Sequence, residues 1–261
     1  MNWKEIEEVG HKDVPVLFPL GVIEEHGPHL PLATDIYFSY AISRKIKTEI
    51  ENMGGKCLIA PPYYWGINHC TGAFPGSFSL KEETMKRVLN DIFENLSCFG
   101  FQRIYCINQH GDPLHIKTIL DAIQESNKTH NMRIRLLMEP YDLSNYNLKG
   151  TEDHILVDGA EYPDSLFPEE DGLLDIHAGA YETAAMKYFY NEIVEKEAVK
   201  DLKDYSLSYK TIGTWLQGGE TARNLVPSGY AGNPSEYEKK MESVETIFSI
   251  LCKYVAKGIM S

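Results

Sequence analysis

The densest run of metal-ligating and proton-handling side chains lies between Gly21 and Asp35 (GVIEEHGPHLPLATD). Glu24 and His26 are two residues apart, so in an extended backbone both side chains point the same way. Asp35 stands nine residues after His26, near a predicted helix start, where the helix dipole favours a carboxylate. Two carboxylates and an imidazole leaving one strand end make a nest for zinc or manganese. The plainer alternative is that Asp35 caps its helix and His26 packs in a turn. A second run, Ile107 to His115 (INQHGDPLH), places His110 and Asp112 two apart in a Gly-Pro loop before another helix. Its plainer alternative is an Asx turn at Asn108 and a cap at Asp112. In a third run, Asp175 to Thr183 (DIHAGAYET), His177 and Glu182 flank small residues that let a backbone approach a ligand closely. His29, His69 and His115 read as packing residues or as groups that orient metal-binding imidazoles.

These runs need a scaffold, and the hydrophobic pattern supplies one. Residues 14–20 (VPVLFPL) read as a buried strand stopped by Gly21. Thr34 or Asp35 is placed to cap a helix over Ile36 to Met53, ended by Gly54-Gly55. Cys57 to Ala60 reads as a second short strand. Ser79 to Glu82 has the form of a capping box, and Val88, Leu89, Ile92, Phe93 and Leu96 continue with helical period. Arg103 to Asn108 and Arg133 to Met138 read as strands, with a helix carrying Ile116, Ile119, Leu120 and Ile123 between them. Strands and helices alternating in this way predict right-handed βαβ units, hence an α/β fold: a single layered domain with a mostly parallel sheet covered by helices on both faces. In such a sheet the carboxyl ends of the strands share one edge, which is where ligands bind. The first two runs both leave strand ends, so they converge on that edge. Residues 140–176 break the rhythm, and a loop of that length is often functional. A helix after Gly179, a strand around Thr211 to Leu216 and a last amphipathic helix complete the expected order.

Composition narrows the partners. A formal charge of −13 over 261 residues leaves no basic stripe for phosphates, which argues against a nucleic-acid partner. The five cysteines contain no Cys-x-x-Cys pair and mostly sit in apolar stretches, which favours free thiols over disulfides or thiolate zinc. No apolar run approaches the ~18 residues of a membrane span, and MNWKEIEEVG lacks the apolar core of a signal peptide. The expectation is a cytoplasmic protein with a small-molecule substrate and no membrane partner.

Taken with FPGSFSL at 74–80 and GYAGNPS at 229–235, the three runs resemble the creatininase (creatinine amidohydrolase) family. The long first run is the most specific, and the others add weight by their order. The resemblance implies a creatininase-like layered fold, two divalent metal ions per chain (zinc first, manganese or iron as alternatives) and assembly as a homohexamer. It implies Glu24 and His110 as ligands of one metal, His26 as a ligand of the other, and Asp35 as the carboxylate bridging both. Either Asp112 or Glu182 is implied as the remaining ligand. His177 is implied in proton transfer, and Glu182, if not a ligand, in orienting water or that histidine. Asn68, Gly111 and Leu173 depart from creatininase at positions tied to its substrate, so creatinine itself is not the expected substrate. The expected reaction is hydrolysis of a C–N bond in a cyclic amide or related small polar compound by metal-activated water. The alternatives are ring-opening C–C hydrolysis of a cyclic ketone, or a non-catalytic metal-containing scaffold.

Overall fold

The computed structural model describes residues 1–166 and 172–261. Residues 167–171, part of the irregular stretch 140–176, lie outside the described residues. The chain opens with α1 (Trp3–Gly10), then runs β1 (Val16–Leu20), α2 (Thr34–Asn52), β2 (Leu58–Ile59), α3 (Glu82–Cys98), β3 (Arg103–Asn108), α4 (Pro113–His130), β4 (Arg133–Met138) and β5 (Ile155–Val157). These five strands form one sheet in the order β2-β1-β3-β4-β5, and every pairing in it is parallel. The second half carries β6 (Leu173–Leu174), α5 (Ala180–Tyr190), α6 (Lys196–Lys200), β7 (Leu207–Ser208), α7 (Ile212–Trp215), α8 (Gly219–Leu225) and α9 (Tyr237–Met260). Strands β6 and β7 pair antiparallel as a separate ribbon.

The strand period divides the core into two layers. Val16, Phe18 and Leu20 of β1, with Ile104 and Cys106 of β3, pack against Met85, Leu89 and Phe93 of α3 and Ile119 and Ile123 of α4. Leu17, Tyr105 and Ile107 face the other way, toward Ile42 and Ile46 of α2, Ala184 of α5 and Phe248 of α9. A strand buried on both faces must be apolar throughout, which is why 14–20 reads as an unbroken hydrophobic run. From β1 the chain crosses to β2 on one side, whereas from β3 it crosses to β4 on the other. Connections that diverge from neighbouring strands open a crevice at their carboxyl ends. The first two motif runs leave β1 and β3 at that crevice.

Several local expectations give way to tertiary contacts. The segment Thr211 to Leu216 is not a strand: Ile212–Trp215 is a short helix, with Trp215 buried against Cys70 and Leu207. Neither Thr34 nor Asp35 caps α2. The helix starts at Thr34 without a side-chain cap, and the Thr34 hydroxyl donates to the Pro31 carbonyl at 2.7 Å. The capping box at Ser79 is not formed either, because its hydroxyl accepts the Asn68 N–H at 3.0 Å and ties two loops together. No helix among the described residues is long and apolar enough to cross a membrane.

Candidate metal centre

Glycine at the end of β1 sets up the site. A Cβ on Gly21 would lie 2.9 Å from the backbone of Asp35 and Ile36, so any other residue would push the start of α2 away from the strand edge. With glycine there, Asp35 enters the sheet edge and is 2% exposed. Its two oxygens face two different imidazoles: Oδ1 lies 3.2 Å from His26 Nε2, and Oδ2 lies 3.1 Å from His110 Nδ1. Glu24 Oε1 is 2.9 Å from the same His110 Nδ1. The hydroxyl of Thr71 donates to the other oxygen of Glu24.

The far nitrogens of both rings are engaged with backbone carbonyls. His110 Nε2 donates to Ile67 O at 2.9 Å, and His26 Nδ1 to Glu24 O at 3.2 Å. With the rings neutral, those bonds leave a lone pair on each nitrogen that faces Asp35. Such a lone pair pointed at a carboxylate is repulsive unless a cation sits between them, either a ring proton or a metal ion. Without metal, burial would lower His110, but Glu24 and Asp35 outweigh it and raise that ring well above its ordinary value. Ligand atoms ~2.0–2.1 Å from one tetrahedral zinc are about 3.3 Å apart, close to the spacings found here. Asp35 Oδ2 is also buried without a hydrogen-bond partner. The donor set therefore fits divalent metal.

Two triads share Asp35: Glu24, Asp35 and His110 form one, and His26, Asp35 and Glu182 the other. Burial alone would raise the Asp35 carboxyl, but His26 and His110 outweigh it and hold it well below the usual range. Burial also dominates at Glu182, whose carboxyl is raised despite His26 and His177 beside it. Asp112 stands apart from both triads. Its Oδ1 accepts the N–H groups of Leu114 and His115 at the start of α4, and its Oδ2 accepts those of His69 and Cys70. It is the N-cap of α4 and a clamp on the 69–70 loop.

The third run reaches the site through a compact turn. Asp175 accepts the N–H groups of Ala180 and Tyr181 at the start of α5, at 3.1 and 2.8 Å. A Cβ on Gly179 or Gly232 would overlap its carboxylate, which explains glycine in both HAG and YAG. His177 and Ala231 form an isolated antiparallel bridge, joining the third run to GYAGNPS. Between His177 and Gly179, buried Ala178 adopts φ +48°, a left-handed conformation that is costly for a residue with a Cβ. In that conformation its N–H donates to Glu182 Oε2 at 2.6 Å, holding the carboxylate toward His26.

His177 lies at the rim of the cluster, with Nδ1 4.0 Å from Glu24 Oε1 and its ring 4.5 Å from that of His26. It also belongs to a third possible ligand group with Glu24 and His26. Its Nε2 donates to the Glu25 carbonyl at 2.8 Å and is 3.3 Å from Glu25 Oε1. Burial would lower this imidazole, but Glu24, Glu25 and Glu182 outweigh it and push it up to about 10.

Glu25 is the functional-site residue that the strand period hides, because alternation assigns it to the side opposite Glu24 and His26. The chain is irregular there, and His177 meets Glu25 from a distant segment. A second charged residue inside a run this rich in ligands was the available signal. His29 is buried with Nε2 2.9 Å from the Thr183 hydroxyl. His115 stacks edge-on to His110 and accepts the Ile67 N–H. Asn68 donates to Ile23 O and Phe78 O, so it braces loops. Gly111 lines the cavity above the cluster with open space at its Cβ position, and Leu173 is exposed.

Comparison with known proteins finds relatives along the whole chain. The chain is 26% identical to the creatinine amidohydrolase of Pseudomonas putida over 218 residues, 77% of this chain and 74% of that protein. It is 33% identical over 114 residues to a mycofactocin precursor peptide peptidase of Mycobacterium ulcerans, 42% of this chain. That match spans 44% of the relative, under half its length. In three dimensions the chain is similar to a mutant creatininase of the Zn-Zn type, with TM-score 0.72 and 21% identity over 99% of this chain and 95% of that one. The sequence profile of the creatininase family, described as creatinine amidohydrolase, matches residues 1–259, and the chain therefore belongs to that family.

Proposed function

We propose that the protein is a metal-dependent hydrolase that cleaves a C–N bond in a cyclic amide or related small polar carbonyl compound. The observation that carries this reading is Asp35, a buried carboxylate whose two oxygens face ring nitrogens of two different histidines. Glu24 and His110 would hold one ion, His26 and Glu182 the other, with Asp35 shared. Two divalent ions bound there would polarise a carbonyl and acidify a water molecule at neutral pH. Zinc suits this nitrogen and oxygen donor set, and so does manganese.

The chain's own residues supply the rest. His177 stands at the rim with Nδ1 toward the cluster and Nε2 held by Glu25. It is placed to donate a proton to the departing nitrogen. Glu25 fixes the ring through Nε2, so rotation cannot carry Nδ1 out of reach. Glu182 is held by the Ala178 N–H, which keeps one carboxylate oxygen in a set orientation. Asp112 is spent on four backbone N–H groups, which supports Glu182 as the remaining ligand.

The test is a screen of cyclic amides, imides and cyclitol ketones on protein of known metal content. Metal-dependent release of ammonia or an amine supports the reading. Turnover of the cyclitol ketones alone would replace it with C–C hydrolysis.

A further inference from the structure

The cluster opens into a cavity of about 590 Å³. That is within the size of pockets that enclose small ligands, roughly 300–1,000 Å³, so room remains beyond a group reacting at the metals. Part of its lining is an apolar wall made by Ile176 together with Ile212, Trp215 and Leu216 of α7 and its C-cap. Trp215 anchors that wall: it is 4% exposed and packs with Cys70, Leu207 and Ala231, and Ile176 joins the same cluster. The Trp215 ring lies 5.8 Å from that of His177, tilted by 32°, and the His26 ring lies 4.5 Å from His177. His177 thus adjoins both the metal cluster and the apolar wall. Ile176 and Ile212 are only half-buried and Leu216 is 45% exposed, so apolar surface stays open to the cavity.

The chemistry at His177 decides what covers this surface. A proton donor must come within hydrogen-bond reach of the departing nitrogen, so the amine half of the cleaved bond sits beside His177. The carbonyl is held toward the cluster. The wall that adjoins His177 then meets whatever group the nitrogen carries. We infer that the amine half of the substrate carries an apolar group of butyl to phenyl size, which packs on Ile176, Ile212 and Leu216 over Trp215. Seating it there removes apolar surface of both partners from water. A charged group in the same place would lose hydration and gain no partner from these four side chains. The inference deepens the metal-hydrolase reading and rests on it for the position of the reacting bond.

The probes are N-methylacetohydroxamic acid and its butyl homologues, N-butylacetohydroxamic acid and N-methylpentanohydroxamic acid. These homologues are isomers with the same chelating group, and they differ only in whether the butyl chain is on the nitrogen or on the carbonyl carbon. Binding to the zinc-loaded protein is measured by calorimetry. The N-butyl isomer is expected to bind about tenfold more tightly than the N-methyl parent, the gain for a butyl chain partly removed from water, and the acyl isomer to gain little. Leu216→Asp changes an exposed side chain, so the fold should hold, and it should cut that gain to about twofold. Trp215→Phe keeps the wall apolar and should preserve most of it. Equal binding by the two isomers, tighter binding by the acyl isomer, or a gain unchanged by Leu216→Asp overturns the inference while leaving the metal reading intact. If none of the three compounds binds, the metal reading itself falls and the inference falls with it.

Discussion

The two halves of the candidate metal centre are held by different physics. Glu24, His26, Asp35 and His110 follow from strand ends and a helix start, and the sheet behind them is buried on both faces. Their positions are as stiff as the core. His177 and Glu182 instead hang from a turn in which Asp175 caps α5, Ala178 adopts a left-handed backbone, and a single bridge ties His177 to Ala231. Hydrogen bonds hold much of that turn, and those made by the Asp175 and Glu182 side chains can each be removed by one substitution. The comparison teaches that the strand-edge half is set by packing and the other half by hydrogen bonds. Damage to the two should therefore look different.

The largest effect is expected at Asp35. Wild-type protein should approach two divalent ions per chain by elemental analysis, and Asp35→Asn should lose both together. A variant that retained one ion at full occupancy would show that the two triads are independent.

Next is His177. A general acid contributes ~10²–10⁴-fold in rate, so His177→Ala should cut turnover on that scale while fold and metal content persist. Metal lost in step with activity would move His177 among the ligands with Glu24 and His26. Glu182→Gln should then reduce binding of one ion, whereas Asp112→Asn should leave metal content nearly unchanged. The reverse pattern would give the ligand to Asp112.

Asp112 should matter instead to stability. Removing a helix N-cap costs about 0.5–2 kcal/mol, and Asp112→Ala also frees the 69–70 loop, so denaturant unfolding should show a loss toward the upper end of that range. The smallest effect is a pH slope from Asp175. Burial raises its carboxyl to about 6, above its ordinary value of 3.8, although the Tyr181 N–H acts against it. Between these values the folded state binds more protons than the unfolded state, so this group's contribution to stability falls as pH rises from about 4 to about 6. The stability difference between wild type and Asp175→Asn should shrink across that window and stay level above it. A difference independent of pH would mean that the Asp175 carboxyl titrates alike in both states.

Much of the scaffold was legible in the sequence. Arg103–Asn108 and Arg133–Met138 are strands as their apolar pattern predicts. The parallel sheet follows from alternation, because a strand buried on both faces needs helices on both sides. The caps and Thr211–Leu216 were misread. Ser79 and Trp215 find partners distant in sequence, and the Thr34 hydroxyl turns back to the Pro31 carbonyl instead of capping its helix.

By itself, the sequence determined which side chains leave the strand ends. Glu24, His26 and His110 are placed by where β1 and β3 stop. The tertiary structure alone decided which oxygen faces which nitrogen. It brought Glu182 to His26 across more than half the chain, spent Asp112 on a helix cap, set Glu25 behind His177 and laid Trp215 beside it on the cavity wall. The physical reason is range. Strand and helix periods act between near neighbours, whereas a carboxylate serves whatever buried donor or cation lies within about 3 Å, however far away in sequence.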